Sequence, residues 1–311
     1  MKLIILGDLN ITQEQSVILN NLVDSYKQFN RFNDEINIKK ELLNTDIVFC
    51  CNFNLNNYIS DLKNTKLVVM AETGIVNIDI EKARLNNINV VNLKTYSKVA
   101  VAEYVLYCLL DSLRPWKTLF DKNFDRKSLH TLYSEEINSL KVGIVGFGTI
   151  GEYINRILSV LNCNITATYS NTFSNYDINF EKIEDIFKTA DRVIVSCSLN
   201  NSSYNLIDNR LLSLMKKDSG IISISSRQVF NTNELYKFLN IRKDVNAYID
   251  FDMINEDVNI CNLDNVHISN HIAFYTRQTI LNRTNQCIDI LKNFIIKKEK
   301  GEEDENSSCF D

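Results

Sequence analysis

Residues 140–158, LKVGIVGFGTIGEYINRIL, constrain the fold of this chain more than any other stretch. Val142, Ile144 and Val145 form a short apolar run that ends at Gly146 and reads as a buried strand. Gly146, Gly148 and Gly151 follow in the spacing G-x-G-x-x-G, and Ile154, Ile157, Leu158 and Leu161 then recur at i, i+3, i+4 and i+7, a helix face. Each glycine has a separate physical reason. The first permits the tight turn out of the strand, the second lets backbone approach a pyrophosphate, and the third lets the helix pack close to the strand. The helix then offers free N–H groups and the positive end of its dipole to a phosphate, so Gly146, Gly148, Thr149, Ile150 and Gly151 form a candidate dinucleotide cradle. The chain has only 8 glycines in 311 residues, so three at this spacing between strand and helix are not a generic glycine-rich loop.

Around this unit the chain alternates apolar runs with helical segments, the signature of parallel α/β sheets. Before it, KLIIL (2–6), TDIVFC (45–50), KLVVM (66–70) and INVVN (88–92) read as strands, with helical stretches around 17–23 and 79–87. None of their turns carries the glycine spacing. Residues 98–113 form a long apolar helix ending at Arg114-Pro115, because the residue before proline disfavours helix. After the glycine turn come strands at 165–169, 192–196, 220–225, 246–250 and 265–269, helices at 181–190, 208–216 and 234–239, and a last helix over 276–298 carrying Ile280, Ile288, Leu291 and Ile295. The expected fold is α/β with two doubly wound parallel-sheet domains. The second is a Rossmann dinucleotide-binding domain (99–273) inserted in a flavodoxin-like first (1–98 plus 274–300), with a cleft between them and a charged, disordered tail at 301–311.

Charge narrows the partners. A net charge of −5 and a pI near 5.4 give no electrostatic case for nucleic acid or an anionic membrane. No apolar run approaches the roughly 18 residues of a membrane span. The start MKLIILGDLN is too short in apolar residues for a signal peptide. The 8 cysteines form no C-x-x-C, and with three histidines they offer no metal-ligand spacing. Reduced thiols in a cytoplasmic protein are the expectation.

Further segments then fit one pattern. ETGIVNID (72–79), VVNLKTYSKVAVAEY (90–104), SSYNLI (202–207), IISISSRQVFNTNEL (221–235), AYIDFD (247–252) and NVHISNHIAFYT (265–276) resemble, in order and spacing, the NAD(P)-dependent D-isomer-specific 2-hydroxyacid dehydrogenases. The resemblance implies a hydride-transferring oxidoreductase for a small 2-keto or 2-hydroxy acid, working as a homodimer. It places Arg227 at the substrate-binding arginine, His271 at the catalytic histidine and Asp250 at an aspartate near the nicotinamide end. Val101 and Ser198 join the cofactor set, while the backbone of Thr73 and Gly74, with Asn52 and Tyr96, would meet the substrate. These residue types suit the chemistry. A guanidinium fork orients a keto acid's carboxylate and carbonyl, and an imidazole donates a proton to the oxygen as hydride arrives on carbon.

Four departures stand out. The family's catalytic glutamate falls on Asn255, and a one-residue length change moves the role to Glu256, with Asp252 and Asp257 as fallbacks. Gln228 follows the arginine where the family has glycine, and Ser198 and Asn270 replace prolines in a chain with a single proline. Past the fingerprint, Ser170 and Asn171 stand where an NAD site carries a carboxylate for the ribose hydroxyls, which favours NADP over NAD. These departures also motivate an alternative, a catalytically degenerate dinucleotide-binding sensor or scaffold.

Overall fold

The computed structural model describes residues 1–30, 35–75, 77–114, 125, 127, 134–169, 178–251 and 258–300. The chain forms two compact units, Met1–Ser97 together with the chain from Tyr275 onward, and Lys98–Phe274.

The first unit is built on five parallel strands: β1 (Lys2–Leu6), β2 (Ser25–Phe29), β3 (Ile47–Cys50), β4 (Leu67–Met70) and β5 (Asn89–Asn92), in the order β2-β1-β3-β4-β5. That is the flavodoxin-like order, which follows when right-handed crossovers place the second strand outside the first. The central strands β1, β3 and β4 are apolar at nearly every position because both faces are covered. Leu3, Ile5, Ile47, Phe49, Leu67 and Val69 face α1 (Gln13–Leu22) and the C-terminal helix, while Ile4, Leu6, Val48, Cys50, Val68 and Met70 face α2 (Glu35–Leu42) and α3 (Ile80–Leu85).

The second unit begins with α4 (Lys98–Leu113). It continues through β6 (Lys141–Val145), α5 (Thr149–Val160), β7 (Asn164–Thr168), β8 (Asn179–Glu181), α6 (Ile183–Thr189), β9 (Arg192–Val195), α7 (Asn209–Leu212), β10 (Gly220–Ser223), α8 (Thr232–Ile241), β11 (Asn246–Ile249), α9 (Val258–Cys261) and β12 (Val266–Ile268). Its seven strands, all parallel, run β12-β11-β10-β9-β6-β7-β8. Counted from β6 this is 3-2-1-4-5-6 with a seventh strand added, the Rossmann order, and its topological switch point falls between β6 and β9. The chain then returns to the first unit as α10 (Arg277–Lys300).

Inside the second unit α4 is fastened to the sheet by polar contacts. Arg192, 6% exposed, donates from Nε to Ser112 Oγ (3.0 Å) and from Nη1 to the carbonyls of Asp191 (2.9 Å) and Asp218 (3.2 Å). Tyr248 donates to Asp111 at 2.8 Å and stacks on His267, 4.5 Å between ring centres.

The scarcity of glycine has a structural counterpart. Left-handed backbone is carried by Asn10, Asn52, Asn87, Asn162, Asn205 and Asn270, with Asp218 and His271. Asparagine tolerates this region better than other side chains, and Asn87 and Asn162 sit just past α3 and α5, where a glycine usually ends a helix. The thiols of Cys50, Cys51, Cys108 and Cys287 are buried, those of Cys163 and Cys197 half-buried, and that of Cys261 exposed. Among the described residues no helix is long and apolar enough to cross a membrane.

Candidate active site

The glycine turn sits at the switch point of the second sheet. Gly146 has φ +95°, and a Cβ there would stand 2.4 Å from the amide nitrogen of Cys197, so only glycine leaves room for the neighbouring chain end of β9. Its amide donates to Thr168 Oγ1 (2.9 Å), and its carbonyl accepts from Ser196 Oγ (2.8 Å), which pins the turn between β7 and β9. At Gly151 a Cβ would lie 2.6 Å from the Gly146 carbonyl, so the helix packs onto the strand end as closely as backbone allows. Around Gly148 there is open space: a Cβ would meet nothing within 4 Å. Gly148 is also the N-cap of α5, and among the described residues no side chain caps the helix or accepts from the N–H groups of Thr149, Ile150 and Gly151 at that end.

The first unit provides a contrast. Gly7 ends β1 with φ +92°, a Cβ 1.8 Å from the Cys51 carbonyl, yet the following helix α1 is closed by a capping box between Thr12 and Gln15. Two N–H groups of that terminus, those of Thr12 and Gln15, already have side-chain acceptors. The residues around Gly148 therefore fit the pyrophosphate of a dinucleotide, and those around Gly7 do not.

Further along the same C-terminal edge, β11 and β12 build the turn that carries His271. Asp250 follows β11 and is 3% exposed. Its Oδ1 accepts from Ser269 Oγ (2.5 Å) and the Ile272 amide (2.7 Å), and its Oδ2 accepts from the Ala273 amide (2.9 Å). Tyr104 and Ser269 share a hydrogen bond of 2.6 Å. Since the Ser269 hydroxyl has one proton and gives it to Asp250, Tyr104 must be the donor. A chain Tyr104→Ser269→Asp250 thus runs from α4 to the turn, and burial pushes the Tyr104 hydroxyl far above its ordinary pKa, keeping it protonated. Within the clamped turn Asn270 and His271 both adopt left-handed backbone, φ +49° and +57°. The His271 ring is exposed and meets Phe274 edge-on at 5.6 Å.

Arg227 opens a short 3-10 turn, Arg227–Val229, after β10. That turn is held from behind by Asn205 N–H to the Gln228 carbonyl (2.8 Å) and Ile207 N–H to the Val229 carbonyl (3.0 Å), over the buried Val229 and Phe230. Arg227 is half-buried, and Gln228 is exposed. Ser198, past β9, is exposed and accepts from Ser203 Oγ through its carbonyl at 2.6 Å. Val101 is buried in the first turn of α4. Gly146, Ser198, Arg227, Asp250 and His271 all lie past the carboxyl ends of their strands, the side on which ligands bind in open α/β sheets.

In the first unit Asn52, Thr73 and Gly74 also follow strand ends, those of β3 and β4. The Asn52 amide donates to Glu72 (3.0 Å), and the Thr73 carbonyl accepts from Asn92 Nδ2 (2.6 Å), so both loops are fixed. Tyr96 is partly buried against the core cluster containing Leu93 and Cys287, and burial pushes its hydroxyl up to about 12. Ser170, Asn171 and Glu256, with Asp252, Asn255 and Asp257, lie outside the described residues, as does the tail.

The family model described as "D-isomer specific 2-hydroxyacid dehydrogenase, NAD binding domain" matches residues 107–273, more than half of the chain. The chain belongs to the D-isomer specific 2-hydroxyacid dehydrogenases. Membership makes it an oxidoreductase of the 2-hydroxyacid type that uses a nicotinamide dinucleotide. Among curated relatives of this dehydrogenase, "2-hydroxyacid dehydrogenase homolog 1" of Schizosaccharomyces pombe is 26% identical over 237 residues, covering 70% of this chain and 71% of its own length. The D-lactate dehydrogenase of Staphylococcus epidermidis is 24% identical over 241 residues, covering 70% and 72%. Among solved structures, an acyclic imino acid reductase in complex with NADPH and D-Arg superposes with a TM-score of 0.85 at 21% identity, covering 96% of this chain and 98% of its own. The D-lactate dehydrogenase of Aquifex aeolicus, complexed with NAD and lactic acid, superposes with a TM-score of 0.80 at 19% identity, covering 97% and 96%.

Thr168 and Ser196, which pin Gly146, and Tyr104 and Ser269, which hold Asp250, are absent from the sequence-based site. For Thr168, Ser196 and Ser269 the available signal was a hydroxyl residue at or just past a strand end on the ligand side of the sheet; Tyr104, inside α4, carried no such signal.

Proposed function

We propose that this dehydrogenase reduces a small 2-keto acid to the D-2-hydroxy acid, and runs the reverse reaction, with NADPH favoured over NADH. The observation that carries this reading is the placement of Arg227 and His271 on the same sheet edge as the glycine turn. They follow strands two places apart in the order, about 10 Å at the usual strand spacing. When bound, the nicotinamide supplies the hydride. Arg227 holds the substrate carboxylate and carbonyl through its planar fork. His271 gives a proton to the carbonyl oxygen during reduction and takes it back during oxidation, with Glu256 fixing its tautomer. Asp250, which accepts from the Ser269 hydroxyl before the imidazole and from the Ile272 and Ala273 amides after it, sets the position of the ring beside the nicotinamide end. Ser170 and Asn171, without a carboxylate, admit the 2′-phosphate of NADP. The relatives support no choice between the dinucleotides, since one solved neighbour holds NADPH and another NAD.

The protein works in the cytoplasm as a homodimer in this reading. Exposed Val99, Tyr107 and Leu110 on α4 support a partner surface on that helix. The experiment is a screen of glyoxylate, pyruvate, hydroxypyruvate and bulkier 2-keto acids, each with NADH and NADPH, followed by loss of the reduced-nicotinamide absorbance. Turnover that disappears in His271→Ala supports the proposal. Dinucleotide binding with no turnover of any keto acid supports the degenerate alternative instead.

A further inference from the structure

Two ties of helix α4 to the second sheet differ in where they lead. At the C-terminal end of the helix, Asp111 accepts from Tyr248 of β11 (2.8 Å) and Ser112 Oγ accepts from Arg192 Nε of β9 (3.0 Å). In its N-terminal half, Tyr104 bonds Ser269, just past β12, at 2.6 Å. Between them Ala102, Val105, Cys108 and Leu109 are buried in one cluster with Val142, Ile144, Ile194 and Ile222 of the strands. Docking the helix therefore has its apolar stripe and its C-terminal bonds, and does not depend on the Tyr104 hydroxyl.

The Tyr104 tie continues past the sheet. Ser269 gives its one proton to Asp250 Oδ1 (2.5 Å), and the proton that Tyr104 gives to Ser269 leaves that hydroxyl a single way to point. Burial pushes the Tyr104 hydroxyl far above its ordinary pKa and the Cys108 thiol that faces it up to about 12, so neither brings a charge to the chain at neutral pH. Hydrogen bonds in series polarise one another, so losing the first weakens the second. Ser269 is also where the His271 turn begins. Its amide donates to the Ile249 carbonyl (3.1 Å), and Asn270 and His271 then hold left-handed backbone. The exit of the turn is held by two amides on Asp250, those of Ile272 and Ala273, whereas the side-chain hold on the entry is Ser269 Oγ.

We infer that Tyr104 is a positioning residue for hydride transfer: acting through Ser269 and Asp250, its hydroxyl sets the entry of the His271 turn and with it the place of the imidazole. The inference rests on the proposed role of His271 as proton donor and extends it to a helix that precedes the glycine turn in the chain. A hydroxyl that merely docked α4 would matter no more than that of Tyr248, which joins the same helix to the same sheet away from the turn.

The test sets Tyr104→Phe against Tyr248→Phe, each of which removes an oxygen and keeps the ring. Tyr104→Phe should lower kcat for keto-acid reduction about tenfold, part of the roughly 100-fold that a displacement of about 1 Å costs, with KM and dinucleotide Kd nearly unchanged. Tyr248→Phe should lower the melting temperature and leave kcat in place. Ser269→Ala should match Tyr104→Phe, the double variant should lose no more than either single one, and Ser269→Thr should keep most of the activity. An unchanged kcat in Tyr104→Phe, an equal loss in Tyr248→Phe, or losses that multiply in the double variant would overturn the inference while leaving the keto-acid reading intact. A second arm needs no turnover. The chain has three histidines, so the His271 ring resonance of histidine-labelled protein can be assigned by its disappearance in His271→Ala. That resonance should shift in Tyr104→Phe and stay in place in Tyr248→Phe. A resonance unmoved in Tyr104→Phe would count against the positioning role even if no keto acid were reduced.

Discussion

Asp250→Ala is the substitution whose outcome the geometry determines most sharply. It removes a buried carboxylate that accepts from Ser269 Oγ (2.5 Å) and from the amides of Ile272 (2.7 Å) and Ala273 (2.9 Å). Hydrogen bonds to a charged group contribute about 1.5–3 kcal/mol each. Ile272 is exposed enough for water to replace its lost acceptor, whereas Ala273 is 6% exposed and its amide would be left buried and unpaired. The expected loss is therefore about 3 kcal/mol, the sum of one full desolvation penalty and part of two others. For a unit the size of Lys98–Phe274 this lowers the melting temperature by about 6–12 °C. The left-handed conformations of Asn270 and His271, each costing about 1 kcal/mol in an ordinary residue, would also lose the contacts that hold them. The imidazole is then no longer fixed, and a displacement of about 1 Å is worth roughly 100-fold in kcat. Asp250→Asn keeps the shape but cannot accept on both sides, so about half of the stability loss should remain. The assay is thermal unfolding by circular dichroism together with kcat and dinucleotide Kd. A melting temperature unchanged in Asp250→Ala, with the loss confined to dinucleotide affinity, would refute the positioning role and return Asp250 to a direct nicotinamide contact.

The two glycines of the turn should separate folding from binding. Gly148→Ala adds a Cβ into open space, so thermal stability should hold while dinucleotide affinity measured by calorimetry falls at least tenfold; Gly146→Ala drives a Cβ to 2.4 Å from the Cys197 amide and should destabilise the protein by about 3 kcal/mol or more. Acid sensitivity should trace to Glu41, which bonds Lys2 and Lys27 and is held down to about 2 from an ordinary 4.5 by those partners. Because its pKa is depressed in the folded state, its contribution is present above about pH 4.5 and is lost as pH falls toward 2; Glu41→Gln should flatten the melting curve over that window.

Much of this was legible in the sequence because the two sheets are buried on both faces. Continuous apolar runs such as KLIIL and RVIVS announce central parallel strands, and the glycine spacing announces the switch point. Of the four edge strands, β5 and β12 were legible, while β2 and β8 were not. SYKQF at Ser25–Phe29 is largely exposed, and Asn179–Glu181 is three residues long, so neither shows an apolar run. Helix α2 buries only Ile38 and Leu42, too few to mark a face. The C-terminal helix was read from Ile280, Ile288, Leu291 and Ile295, yet Ile280 lies off the buried face and Arg283 lies on it. Hydrophobic periodicity assigns an arginine to solvent, so a buried cation inside a stripe is invisible to it. The hydrogen bonds of Asp250 were hidden too: the family resemblance implied only a contact near the nicotinamide end, and the fold shows that the His271 turn closes on both of its oxygens.

The central claim is that the second sheet's C-terminal edge brings a dinucleotide and a keto acid together over Arg227 and His271. Its most direct test is a crystal structure of the chain with NADPH and oxamate, an unreactive mimic of a 2-keto acid. The account predicts the pyrophosphate over Gly148 at the N-terminus of α5, the oxamate carboxylate on the Arg227 fork, and a His271 ring nitrogen within hydrogen-bond distance of the oxamate carbonyl oxygen. A pyrophosphate bound elsewhere, or an imidazole turned away from that oxygen, would contradict it.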